Sequence, residues 1–222
     1  MPRPARLLVY AAALLASGAP VLAAPPPAHV DVDVDVDVAA AATPTAPKLH
    51  AAMRALWHGH IVHAREYALA THSGNGAEAQ KAADAVVANA RQISDAVAGF
   101  YGKAGGDRMM QLLAGHWGAV KAMTDAQARH DAAGQRKAMA DLTANAGEIA
   151  KFLAGANPNL PEDTVRGLML AHGAHHAQQI MQIMAGDMNA EAQTWTAMQR
   201  HMDDVADALA GAIAKQFPAK AG

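Results

Sequence analysis

The sequence predicts an all-α domain, a six-helix bundle or array built from three consecutive helical hairpins of 56 residues each. The first observation behind this is a repeat. His60, His116 and His172 are spaced by 56 residues, and Asn89, Asn145 and His201 keep the same step. The copies open alike, on Met53-x-x-Leu56-x-x-Gly59-His60, Met109-x-x-Leu112-x-x-Gly115-His116 and Val165-x-x-Leu168-x-x-Ala171-His172. The second observation is periodicity: Met53, Leu56, Trp57, His60, Ala64 and Tyr67 recur at spacings of three and four, as do Val86, Asn89, Ile93, Val97 and Phe100. Such spacing puts each set on one helix face. The third is punctuation. Asn75, Asp131 and Asp187 stand between the two halves of each copy, and Gly74 and Gly186 precede two of them. A glycine stop followed by an Asx start marks a helix–turn–helix boundary.

Taken in order, residues 1–23 carry Arg3 and Arg6, an apolar run from Leu7 to Leu22, and a small-residue signal at Val21-Leu22-Ala23. This reads as a secretory signal peptide, and Gly18 and Pro20 leave its apolar core too short for a permanent membrane span. The implied location is periplasmic or secreted. Residues 24–46 are rich in proline, alanine and valine and contain an Asp-Val alternation from Asp31 to Val38, which reads as a solvated, disordered tether. Residues 47–218 form a single helical domain with copies at about 47–102, 103–158 and 159–214, and 219–222 form a tail. Glu78, three residues after Asn75, is placed to complete a capping box. Gly102 with Gly105-Gly106, and Asn157-Pro158-Asn159 with Pro161, mark the junctions between copies.

Loss of residues 1–23 leaves 16 basic against 20 acidic residues, a charge of −4, which gives no footprint for nucleic acid. There is no cysteine, so packing rather than a disulfide framework holds the fold.

His60 lies 15 residues before Asn75 and Asn89 lies 14 after it, so a rise of 1.5 Å per residue places both about 20 Å from the turn. The same counts hold in the other copies. Six polar residues therefore share one buried layer at mid-height if the hairpins pack side by side. Closure about a pseudo-threefold axis would bring His60, His116 and His172 together, whereas a stacked array would separate them. One reading of the layer is structural: each histidine bonds the residue opposite, and the layer fixes helix register. The other is that ring nitrogens converge on a metal, a haem or a small ligand.

The third copy favours chemistry. His172, His175 and His176 stand at i, i+3 and i+4 on one helix face, and His201 replaces the asparagine of the other copies. His63 is the first-copy equivalent of His175. Met181, Met184 and Met198 are candidate soft ligands, although methionine at helical spacing also fills cores. Histidine and thioether without cysteine suit copper, histidine alone suits zinc, and haem ranks behind both. No Glu-x-x-His pair, repeated carboxylate or phosphate loop supports a di-iron centre, hydrolase or nucleotide enzyme, so a binding role leads over an enzymatic one. Arg65 and Glu66 read as boundary charges, with anion anchoring by Arg65 as the alternative.

Leu56-Trp57-x-x-His60 with Arg65, Asn89, Phe100-Tyr101-Gly102, His116, Ala156-Asn157-Pro158, His172, His201 and Lys215-Gln216-Phe217-Pro218 resembles a family of small bacterial helical proteins. The resemblance spans nearly all of residues 49–218 and implies the helical fold without implying an activity. His63-Ala64 departs from the tryptophan and threonine usual in that pattern. Separately, His175-His176-x-Gln178-x-x-Met181 is similar over about ten residues to a segment of small exported four-helix proteins linked to copper handling.

Overall fold

The computed structural model describes residues 46–221. The signal-peptide and tether assignments lie outside these residues, apart from Ala46. Among the described residues there are helices and no strand: α1 (Pro47–His72), α2 (Gly76–Ala128), α3 (Ala132–Ala156), α4 (Glu162–Met184), α5 (Met188–Gln216) and a final turn, α6 (Pro218–Ala221). They form an all-α bundle in which each long helix packs on the next and α1 also packs on α5. No described helix is long and apolar enough to cross a membrane.

The turn chemistry is local and readable. Asn75 accepts from Glu78 N, Asp131 from Ala133 N and Gly134 N, and Asp187 from Ala190 N, so each Asx residue satisfies amides that the first helical turn leaves unpaired. The capping box at Asn75 forms only in its forward half, because the Asn75 N–H is already bonded to Ala70 O in the preceding turn. Gly74 and Gly186, both at φ 71°, supply the left-handed residue that ends α1 and follows α4.

At the first junction Gly102 leaves the helical conformation, with φ 78° and ψ 173°, so α2 comprises two helical arms that meet there. The bend is a sharp reversal. A Cβ on Gly106 would lie 2.8 Å from Ser94 O, although twelve residues of straight helix span about 18 Å. Asn157 instead adopts an extended conformation (φ −136°, ψ 112°), as a residue before proline favours, and separates α3 from α4.

Tyr101 OH donates to Gln216 Oε1 at 3.0 Å and accepts from Asn157 Nδ2 at 2.9 Å, while Gln216 Nε2 donates to Ala156 O. Phe217 packs against Phe100 and Tyr101. The Phe-Tyr, Ala-Asn and Gln-Phe pairs, dispersed in sequence, therefore meet at one end of the bundle and tie its first, second and last turnarounds together.

Mid-bundle, three side-chain-to-carbonyl bonds join neighbouring helical segments. Asn89 Nδ2 donates to Leu56 O and Asn145 Nδ2 to Leu112 O, each at 3.0 Å, and His201 Nε2 bonds Leu168 O at 2.9 Å. The asparagine side chain is short, so its helix must come close. A Cβ on Gly59 would lie 3.0 Å from Asn89 Nδ2, and one on Gly115 would lie 3.1 Å from Asn145 Nδ2. Where the longer histidine replaces asparagine, Ala171 replaces glycine. Gly59→Ala is therefore expected to destabilise the protein by about 1 kcal/mol, the unpaired amide outweighing the gain in helix propensity. Gly118→Ala, at an exposed position with open space around it, is expected to stabilise by up to about 1 kcal/mol. Urea unfolding midpoints test the pair, and a higher midpoint for Gly59→Ala would refute the close-approach account.

Candidate metal centre

The apolar interior falls into two clusters. One contains Met53, Trp57, Ile61, Met109, Leu113 and Met169; the other contains Ala64, Tyr67, Val120, Leu142, Ile180 and Ile183. Along α1, α2 and α4 the histidines occupy the level where one cluster gives way to the other. His60, His116 and His172 lie on the apolar stripes of their helices, so packing those stripes inward carries the rings inward as well. His176, one turn beyond His172, joins them.

All four rings are buried, with exposures of 1% for His60, 5% for His116, 2% for His172 and 1% for His176. Ring centroids are separated by 5.6 Å for His60 and His116, 5.9 Å for His60 and His172, and 5.1 Å for His116 and His172. His176 lies 4.4 Å from His172, 5.7 Å from His116 and 6.2 Å from His60. One nitrogen from each ring can be chosen so that all four lie within 4.8 Å of one another.

The cluster is poorly satisfied by the protein itself. His172 Nε2 and His176 Nε2 are 3.1 Å apart, which requires one to carry the proton and the other to present its lone pair. His60 Nδ1, His116 Nε2 and His172 Nδ1 are buried with no hydrogen-bond partner. Each unpaired buried polar atom costs about 1–3 kcal/mol. Burial pushes His60 down to about 3, with the nearby His116 and His63 adding repulsion, and pushes His116 down to about 4. Burial, then mutual repulsion, holds His172 and His176 well below the ordinary imidazole value. At neutral pH the four rings are thus uncharged, the form that donates a lone pair to a metal.

The dimensions suit a small ion. Metal–nitrogen bonds of about 2.0–2.1 Å imply nitrogen–nitrogen separations of about 3.3 Å in a tetrahedral site. The His172–His176 separation already approaches this, and the wider separations require modest rotation of the rings inward.

The other residues singled out from sequence are placed as follows. His201 is half-buried, its ring stacked 6.4 Å from that of His172, and its Nε2 is engaged by Leu168 O. His175 is half-buried and lies 5.4 Å from His201. His63 turns outward and bonds Glu66. Asn89 and Asn145 use their amide nitrogens on main-chain carbonyls, and their Oδ1 atoms have no hydrogen-bond partner, although Asn145 lies close enough to His116 to offset part of the effect of its burial. Met198 is buried in the first apolar cluster, Met184 packs against the second, and Met181 is 53% exposed.

Sequence reasoning missed an ion pair beside the centre. Arg65, read as a boundary charge, donates Nε and Nη2 to the two oxygens of Glu191 at 2.6 and 2.8 Å, and Gln179 Nε2 adds a bond of 2.9 Å. Glu191 is fully buried, and the Arg65 guanidinium lies 5.0 Å from the Trp195 ring centroid. The anion that Arg65 anchors is thus supplied by the chain itself, 126 residues away. Comparison with protein-family models, curated proteins and solved structures finds no match to this chain.

Proposed function

We propose that the chain is an exported binding protein for a transition-metal ion, held by His60, His116, His172 and His176 at the middle of a bundle of three 56-residue repeats. The observation that carries this reading is the convergence of four buried, neutral imidazoles, three with unpaired nitrogens, from three separate helices. Copper stands ahead of zinc because nitrogen sites bind divalent copper more tightly across the first-row series, and zinc follows because imidazole suits it equally well in kind. Export rests on the character of residues 1–23. The repeat rests on sequence identity at the 56-residue step together with three side-chain-to-carbonyl bonds that each join residues 33 apart.

A second reading has its own support. Asn89, Asn145 and His201 each find a main-chain partner without any ligand, which is what a layer that only fixes helix register would do. The two roles divide between the two polar series: register for the asparagine positions, ligation for the inward histidines.

The expected result is uptake of one copper or zinc ion per purified chain after dialysis, lost in a variant with His60, His116 and His172 all changed to Ala. At free ion about 100-fold above Kd, stability rises by about 2.7 kcal/mol. Failure of the native chain to take up either ion in stoichiometric amount overturns the proposal and leaves the register role.

A further inference from the structure

We infer that the groove between α4 and α5 is the route by which an ion reaches the buried histidines, with His175 and His201 as an outer capture pair. The inference rests on the buried-centre reading above. The four inner rings are too enclosed to meet a hydrated ion directly. The histidine series, however, continues outward from them. The His172 ring is stacked with that of His201 at 6.4 Å, and His201 is followed at 5.4 Å by His175, which lines a surface cavity of about 440 Å³.

Three features of this string point to a ligand rather than to packing. His201 Nε2 is bonded to Leu168 O, so that nitrogen carries the proton and Nδ1 keeps its lone pair. Engagement of one ring nitrogen by a main-chain carbonyl is the usual way a metal-binding histidine is oriented. The cavity wall beside His175 is uncharged and half apolar: Gln178, Gln182, Gln193 and Thr194 offer oxygens to a partly dehydrated cation, and Ala190 and Ala197 complete the wall. Finally, Gln182 Oε1 is shielded from solvent and has no hydrogen-bond partner. The other copies lack the string: Ala119 stands where the middle copy would have its equivalent of His175, and Asn145 where it would have His201.

The capture pair is a weaker, faster site than the inner four, because it offers two ring nitrogens on half-buried side chains. Its effect is on the rate of loading more than on final affinity.

The test uses the intact chain and Cu²⁺ alone. Stopped-flow loading is followed by the copper absorption band, and equilibrium affinity is measured by chelator competition, for the native chain, His175→Ala and His201→Gln. Alanine is the best helix former at the half-buried position 175, and circular dichroism checks that the helix is kept. The expected result is severalfold slower loading in His175→Ala, with inner-site stoichiometry and affinity kept. His201→Gln should slow loading as well. Unchanged loading rates in both variants overturn the route while leaving the buried centre standing. Absence of copper uptake in the native chain overturns the copper route, and the centre falls with it if zinc is not taken up either.

Discussion

Acidification from neutrality to pH 4 is expected to unfold the metal-free protein. The unfolded chain carries histidines of ordinary pKa, near 6.5, while the folded chain holds His60 near 3 and His116 near 4. Between those limits the unfolded state binds more protons, so stability falls as pH falls, starting near 6.5 and continuing until the folded-state values are reached. Each of these two rings removes about 3 kcal/mol by pH 4. Together they are comparable with the roughly 5–15 kcal/mol that holds a domain folded. His172 and His176, also held low, act in the same direction. Carboxylate titration enters later: Asp207, held near 2 by Arg54 with help from His50, contributes stability above its unfolded value of 3.8 that is lost only as pH falls toward 2. Urea unfolding from pH 7.5 to 4.5 checks the expectation, and a His60→Leu, His116→Leu variant should show a flatter acid limb. Equal midpoints across that range would contradict the burial of neutral rings.

The second large effect lies at Arg65. Arg65→Ala leaves the buried Glu191 carboxylate with Gln179 alone, and breaking such a pair costs about 3 kcal/mol, toward the lower end of its usual range because Arg65 is 27% exposed. In a Glu191→Gln background the same change should cost less than about 1 kcal/mol, because no charge is stranded. The difference is the coupling energy, read from a double-mutant cycle of urea midpoints. Additive costs would show that the bidentate geometry contributes little. Arg65→Lys should recover only part of the loss, since an ammonium cannot bridge both carboxylate oxygens in the plane of a guanidinium.

These two effects also mark how much the sequence could disclose. Periodicity identifies which face of each helix is apolar, and Asx residues announce helix starts, because both depend on neighbours within a turn or two of the chain. The hairpins and the caps at Asn75, Asp131 and Asp187 were legible for that reason. Periodicity cannot say which rods meet across the bundle, so closure was left open beside stacking, and the Arg65–Glu191 pair, 126 residues apart, had no local signature. His176 was legible through its spacing of four from His172, which puts both rings on one helix face. The methionines could not be sorted this way, because core filler and soft ligand share the same spacing. Gly102 was legible as the break between the two arms of α2, but the close approach of Gly106 to Ser94 was not, because it depends on how those arms pack.

The inward histidines belong to segments separated by 56 residues each, in a chain that has no cysteine. An ion bound to His60, His116 and His172 would join segments across two long loops at once, and because it binds the folded chain alone its stabilisation would rise and fall with the free ion. The metal of the proposed site would thus serve as a removable cross-link, able to form only when α1, α2 and α4 have docked, so that a partly folded or truncated chain could not hold it with the same grip.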